Sequence, residues 1–185
     1  LRAALTSACP SDTITMNVSG NPIGLTTDLN ITQNVTIDAN NQVFNVTGGN
    51  FVAPGKNITI TNASNINVVI IDTSTSSSTP AGNISLTATG IIMLQSLHAD
   101  SDSTGNAGKG GDITVNAGGN IFTMDILNFS KSVSSGTASN SGDIQLISTG
   151  ANITTDILIA RSLGITGSGN GGIINVQAVS GYSLI

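Results

Sequence analysis

Apolar and polar residues alternate in six short segments spread along most of the chain. The segments begin at Asn34, Asn57, Asn83, Asp112, Asp143 and Ile173. Each has apolar residues at its second and fourth positions, and a period of two is typical of a β-strand with one buried face. The predicted inward pairs are Val35/Ile37, Ile58/Ile60, Ile84/Leu86, Ile113/Val115, Ile144/Leu146 and Ile174/Val176. An earlier strand is predicted near Thr13, with Ile14 and Met16 facing inward.

The six segments recur at intervals of 23, 26, 29, 31 and 30 residues, and two further apolar stretches follow each segment. The first stretch is centred near Val43, Ile66, Ile91, Ile121 and Ile153, and the second near Val46, Val69, Leu94, Ile126 and Ile157. Three short strands per repeat predict one coil of an all-β, right-handed parallel β-helix, in which stacked coils bury a shared core. An antiparallel sandwich would need hairpin turns such as Asn-Gly, and few are present.

The repeat predicts a single solenoid domain over residues 1–185. Residues 1–10 are predicted to form a short helical cap, because Leu1, Ala4, Leu5 and Ala8 share one helix face and Pro10 ends the helix. Shorter coils follow over 11–81. Over 82–185 the coils lengthen, with Gly/Ser/Asn-rich loops at one corner spanning 100–110, 133–141 and 164–171. The last strand is reached at 181–185, so we expect further coils of a longer chain, or another subunit, to stack there.

Composition narrows the function. Charged residues make up 8% of the chain, against a usual level of about 25%. The net charge is −5 with only five basic residues, which argues against nucleic acid as a partner. No apolar run approaches the roughly 18 residues that a membrane span needs. The bias towards Ser, Thr, Asn and Gly is typical of an extracellular or cell-surface protein, associated with the outer membrane if it is bacterial. Cys9 stands alone and cannot form an internal disulfide.

Two stretches resemble known surface proteins. The opening Leu1-Arg-Ala-Ala-Leu, the Asp12-Thr-Ile-Thr and the Asn34-Val-Thr-Ile-Asp38 resemble the N-terminal part of bacterial right-handed β-helix surface proteins, although Ala39 stands where that pattern often has Gly. Gly110-Gly-Asp-Ile-Thr-Val-Asn-Ala-Gly-Gly-Asn-Ile121 is similar to the repeats of filamentous-haemagglutinin-like adhesins. The resemblance implies secretion, surface display and adhesion, and it supplies no catalytic residues.

The acidic residues are scattered, and the sequence predicts no catalytic group and no cofactor. Asp112 and Asp143 occupy the same leading column of the strands as Asn34, Asn57 and Asn83. The favoured interpretation is a ladder of Asn and Asp side chains that accept hydrogen bonds from turn amides, and the alternative is a carboxylate pair or a weak cation site. His98, Asp100 and Asp102 are weak metal candidates on a loop that also carries Lys109. Such a loop is more often simply solvated, so no metal site is predicted.

The outward residues of the first strand in each repeat form a neutral strip rich in hydroxyl and amide groups. The candidate ligand-contacting residues are Thr36, Thr59, Thr61, Ser85, Thr87, Thr114 and Asn116. Such a strip suits a glycan, or ice if the threonines form a regular array, but only the coil of Thr59 and Thr61 has Thr-x-Thr at these positions. The favoured alternative is an ordinary solvated strand face. Candidate glycosylation sites, from the N-x-[ST] pattern, are Asn17, Asn30, Asn34, Asn45, Asn57, Asn62, Asn83, Asn128 and Asn152.

Together these features predict a non-catalytic structural or adhesive segment of a secreted or cell-surface protein. Its partners would be a host or neighbouring cell surface, glycans, or further coils. Two alternatives stay open. One is a subunit of an extracellular fibre built by end-to-end stacking of solenoids. The other is a polysaccharide-binding or polysaccharide-degrading β-helix protein, whose chemistry would need at least two clustered carboxylates.

Overall fold

The computed structural model describes residues 1–17, 22–179 and 182–184, the last three through their backbone. It contains one helix, α1 (Arg2–Ser7), and seventeen strands. The strands are β1 (Thr13–Thr15), β2 (Ile23–Gly24), β3 (Leu29–Asn30), β4 (Val35–Asp38), β5 (Val43–Thr47), β6 (Phe51–Val52), β7 (Ile58–Ala63), β8 (Asn65–Asp72), β9 (Ile84–Ala88), β10 (Ile92–His98), β11 (Ser101–Ser103), β12 (Ile113–Ala117), β13 (Ile121–Ser132), β14 (Ile144–Ser148), β15 (Ile153–Leu163), β16 (Ile174–Ala178) and β17 (Tyr182–Leu184).

All strand pairs are parallel, and each strand pairs with its equivalents in the preceding and following coils. The first sheet has seven strands in the order β1-β4-β7-β9-β12-β14-β16. The second sheet has ten strands, with β17-β15-β13-β10-β8-β5-β2 as its main order. The chain is therefore a right-handed parallel β-helix with a short N-terminal helix, as the repeat predicts. In the described part of the chain, no helix is long and apolar enough to span a membrane.

The core runs along the axis between the sheets. The predicted inward pairs from Val35/Ile37 to Ile144/Leu146 are buried, with at most 4% of any side chain exposed. In the last coil the inward Ile174 is 43% exposed, because no described coil covers it. Stacking aliphatic residues in this way removes apolar surface from water at roughly 1.5–3 kcal/mol per side chain, so each coil depends on its neighbours.

The long strands of the second sheet bend once, and the bend shifts the alternation of buried residues by one position. In β10 the inward residues are Ile92 and Leu94, and then Leu97. A step of three residues rotates the side chains around the corner of the triangle, so one strand serves two faces. This step overturns part of the predicted centring: Val43, Ile91 and Ile157 are 39–49% exposed, while their neighbours Phe44 and Ile92 are fully buried.

The N-terminal helix covers the first coil. Leu5 lies in the same buried cluster as Met16 and Leu25. The Arg2 guanidinium donates hydrogen bonds to the backbone oxygens of Thr27 and Asp28, at 2.8 and 2.9 Å. These contacts confirm the predicted cap, which shields an end of the core that would otherwise be exposed.

The added length of the later coils is more ordered than the predicted corner loops. Part of the expected loop 100–110 is strand β11, which pairs with the end of β13. The remaining segments also stack on one another, through single bridges from Ala107 to Ala138 and from Thr137 to Gly167. The prediction of irregular loops was therefore wrong for this part, because each insertion pairs in parallel with the one before it.

Beneath this extension lies a polar seam, formed by the inward residues Thr73, Ser101, Asn128 and Ser130. All four are buried, and each donates a hydrogen bond from its side chain to a backbone oxygen of the returning segment. The Ser130 hydroxyl, for example, donates to the oxygen of Gly108 at 2.7 Å. Backbone carbonyls buried at a narrow edge need such partners, because an unmade hydrogen bond costs about 1–3 kcal/mol.

Candidate functional site

The seven candidate ligand-contacting residues all lie on the outer face of the first sheet, in two parallel rows. Thr36, Thr59, Ser85 and Thr114 are direct partners on consecutive strands and form the first row. Thr61, Thr87 and Asn116 belong to the second row. The structure therefore brings together residues that are distant in the sequence, at about 4.8 Å from one coil to the next.

The rows extend further than the sequence pattern indicated. Thr13 pairs with Thr36, and Thr15 pairs with Asp38, so the first coil adds a complete Thr-x-Thr. The expectation of Thr-x-Thr in only one coil was therefore wrong. The signal was present in Thr13-Ile-Thr15, but this short strand lies outside the six aligned segments. We call the resulting set the threonine array; it comprises Thr13, Thr15, Thr36, Asp38, Thr59, Thr61, Ser85, Thr87, Thr114 and Asn116.

Within the described residues, none of the threonine and serine hydroxyls of the array makes an intramolecular hydrogen bond. Asp38 is the one ionisable member, and its Oδ1 accepts hydrogen bonds from the Asn40 backbone and from Asn62 Nδ2, at 2.8 and 3.2 Å. The array is consequently almost neutral, and its hydroxyl groups are available to water or to a ligand.

Two irregularities limit the array. The pairing shifts between Ile60 and Ala63, where Asn62 adopts a positive φ of 52°, which Asn tolerates better than most residues. On the C-terminal side the two rows continue as Gln145 and Ile147 in β14. Hydroxyl groups therefore occupy the first row through five consecutive coils and then give way to longer side chains.

A shallow trough runs beside the second row, at the corner where the first sheet turns towards the second. Thr87, Asn116, Gly118 and Thr149 line one stretch of it. Asn116 Oδ1 is buried there and has no hydrogen-bond partner within the described residues. The trough is open along its length, so it can accept an extended or flat ligand and cannot enclose a small one.

The predicted ladder of Asn and Asp side chains is present at the leading corner of the first sheet. In each coil the side-chain Oδ1 accepts a hydrogen bond from the backbone N–H at the same position in the next coil. These bonds run from Asn57 to Asn34, Asn83 to Asn57, Asp112 to Asn83, Asp143 to Asp112 and Ile173 to Asp143, at 2.8–3.0 Å. The alternative of a carboxylate pair fails, because Asp112 is engaged by this bond and by Lys109 Nζ at 3.1 Å.

The weak metal candidates do not converge. Among the residues that the structure describes, no three His, Cys, Asp or Glu side chains are placed to hold a metal ion. Asp100 Oδ1 accepts a hydrogen bond from the Phe129 backbone at 2.7 Å, and Lys131 Nζ lies 4.0 Å from Asp102. Burial raises the pKa of the Asp100 carboxyl to about 6, against the opposing effects of the Phe129 hydrogen bond and of His98. The group acts as a link between coils.

The candidate glycosylation residues differ in accessibility. Asn128 is fully buried, and its amide donates to the Gly111 oxygen at 2.6 Å and accepts from the Gly142 N–H at 2.9 Å. A glycan on Asn128 is incompatible with the folded chain. Asn45 is half-buried, and the exposed candidates are Asn17, Asn30, Asn34, Asn57, Asn62, Asn83 and Asn152.

No family model, no curated protein and no solved structure matches the chain. Its fold class, a parallel β-helix, and the geometry of its surfaces are therefore what supports a functional proposal.

Proposed function

We propose that this chain is a non-catalytic structural and adhesive segment of a secreted or cell-surface β-helix protein. The observation that supports the proposal is the threonine array, a continuous neutral face held in place by the stacked strands. Each coil presents its outward pair at the same height and orientation as the next. A face of this kind suits many weak, repeated contacts with an extended surface better than it suits a reaction at one point.

The proposal is tested by measuring retention of the purified chain on cells and on glycan arrays, together with release of sugars from polysaccharides. Thr87→Arg places a long charged side chain in the array, and we expect it to weaken retention. Thr154→Arg is the matched control, because Thr154 lies on the outer face of the second sheet, where it pairs with Phe122. We expect this variant to behave as the parent chain does.

Turnover of a polysaccharide without any retention on surfaces would contradict the proposal and would favour the enzymatic alternative. Equal losses of retention in both variants would contradict the assignment of adhesion to the first sheet, because a general effect of charge would then explain the result.

A further inference from the structure

The threonine array repeats in two directions. Along the axis, consecutive members of a row are about 4.8 Å apart, and across a strand the two rows are about 6.6 Å apart, which is twice the rise per residue. Hydrogen bonding between coils fixes both spacings. A ligand that engages the whole array must therefore carry matching groups at regular intervals in two dimensions.

The side chains of the array are also set in advance. Seven of its ten members are threonine: Thr13, Thr15, Thr36, Thr59, Thr61, Thr87 and Thr114. A threonine side chain is restricted about χ1, so each methyl and hydroxyl group has a preferred direction before any ligand arrives. Binding then loses little side-chain entropy, which otherwise costs about 0.5–1.5 kcal/mol for each immobilised flexible side chain.

The charge and the chemistry of the face select among periodic ligands. Asp38 is the only ionisable member of the array and is held by its own hydrogen bonds, so the face matches an uncharged surface. The array has no aromatic ring on which the apolar face of a sugar could stack. Its hydroxyls lack partners within the described residues and can both donate and accept hydrogen bonds.

We infer that the threonine array binds the surface of ice. Ice is uncharged, periodic in two dimensions, and built from groups that both donate and accept hydrogen bonds. The methyl groups would border ordered water while the hydroxyls join its hydrogen-bonded lattice. This inference rests on the proposed function, since it takes the array to be the adhesive face and names the surface to which it adheres.

The test measures thermal hysteresis of the purified chain and its enrichment in a slowly growing ice phase. We expect the parent chain to show both signals. Thr59→Tyr raises a bulky ring in the middle of the array and is expected to lose most of both signals. Asn67→Tyr is the matched control, because Asn67 is exposed on the outer face of the second sheet, where it pairs with Met93. It should keep both signals, and circular dichroism checks that each variant remains folded.

Absence of hysteresis and of enrichment in the parent chain would overturn the inference. Retention on cells or glycans without any effect on ice would overturn it as well, but would leave the proposed adhesive function standing. Retention on crystalline cellulose or chitin alone would assign the array to a polysaccharide surface instead. Equal losses in Thr59→Tyr and Asn67→Tyr would show that the array is not the ice-binding face.

Discussion

At the scale of single residues, the leading corner of the first sheet depends on one repeated hydrogen bond. An Asn or Asp side chain satisfies a backbone N–H that the strand ladder leaves unpaired at the corner. The sequence predicted this ladder because the same residue types recur at Asn34, Asn57 and Asn83. It did not predict the bonds from Asn65 to Ile91 and from Asn120 to Asn152 at the next corner, since Ile91 interrupts that column.

Replacing one ladder residue tests its contribution. Asn57→Ala removes the acceptor of the Asn83 N–H, which is 2.8 Å away, and should lower the free energy of unfolding by about 1–2 kcal/mol. Asn57→Asp is the matched control, because a carboxylate accepts the same bond elsewhere in the column, and it should cost much less. The measurement is urea unfolding followed by circular dichroism. Equal losses in the two variants would show that the bond is not what matters.

Asp100 makes stability depend on pH. Its pKa is raised from 3.8 to about 6 in the folded chain, so the folded state retains a proton that the unfolded state has lost. This contribution is full below about pH 4 and disappears as the pH rises through 6, by on the order of 2 kcal/mol. Asp100→Asn, which keeps an acceptor for the Phe129 N–H, should match the parent chain at low pH and exceed it in stability near neutral pH. Parallel pH profiles of the two chains in urea unfolding would refute this role.

At the scale of strands and turns, the later coils stack through a column of glycines that precede the strands: Gly82, Gly111, Gly142 and Gly172. A Cβ atom added to Gly111 would lie 2.7 Å from the carbonyl carbon of Gly82, closer than atoms normally approach. The sequence showed these glycines as markers of the repeat. It did not show their steric reason, because only the stacked backbones reveal how little space separates one turn from the next.

The same column supplies a prediction about packing. Gly111→Ala should destabilise the chain by about 1–3 kcal/mol, because the added methyl group must push two coils apart. Gly105→Ala is the matched control, since a Cβ atom there meets nothing within 4 Å. Thermal unfolding of both variants should separate them clearly. A stability for Gly111→Ala equal to that of Gly105→Ala would mean that the turns shift at no cost.

At the scale of the whole molecule, the period of the apolar pattern was enough to predict the class of fold and the direction of stacking. Alternation in the first sheet is strict, so its inward pairs were correct from Val35 to Leu146. The second sheet was less predictable, because its strands turn a corner with a three-residue step that a search for period two passes over. The polar seam escaped prediction for a related reason: Asn128, Ser130 and Ser132 alternate as regularly as the aliphatic residues, but polar residues are expected to face water.

The seam also affects how the molecule responds to cold. Aliphatic burial weakens as water is cooled, because its driving force near room temperature is entropic and accompanies a large change in heat capacity. Polar groups that become exposed on unfolding change the heat capacity in the opposite direction. The coils closed by Asn128 and Ser130 should therefore have a flatter stability curve than those closed by aliphatic residues alone, and should lose less of their stability near the freezing point of water.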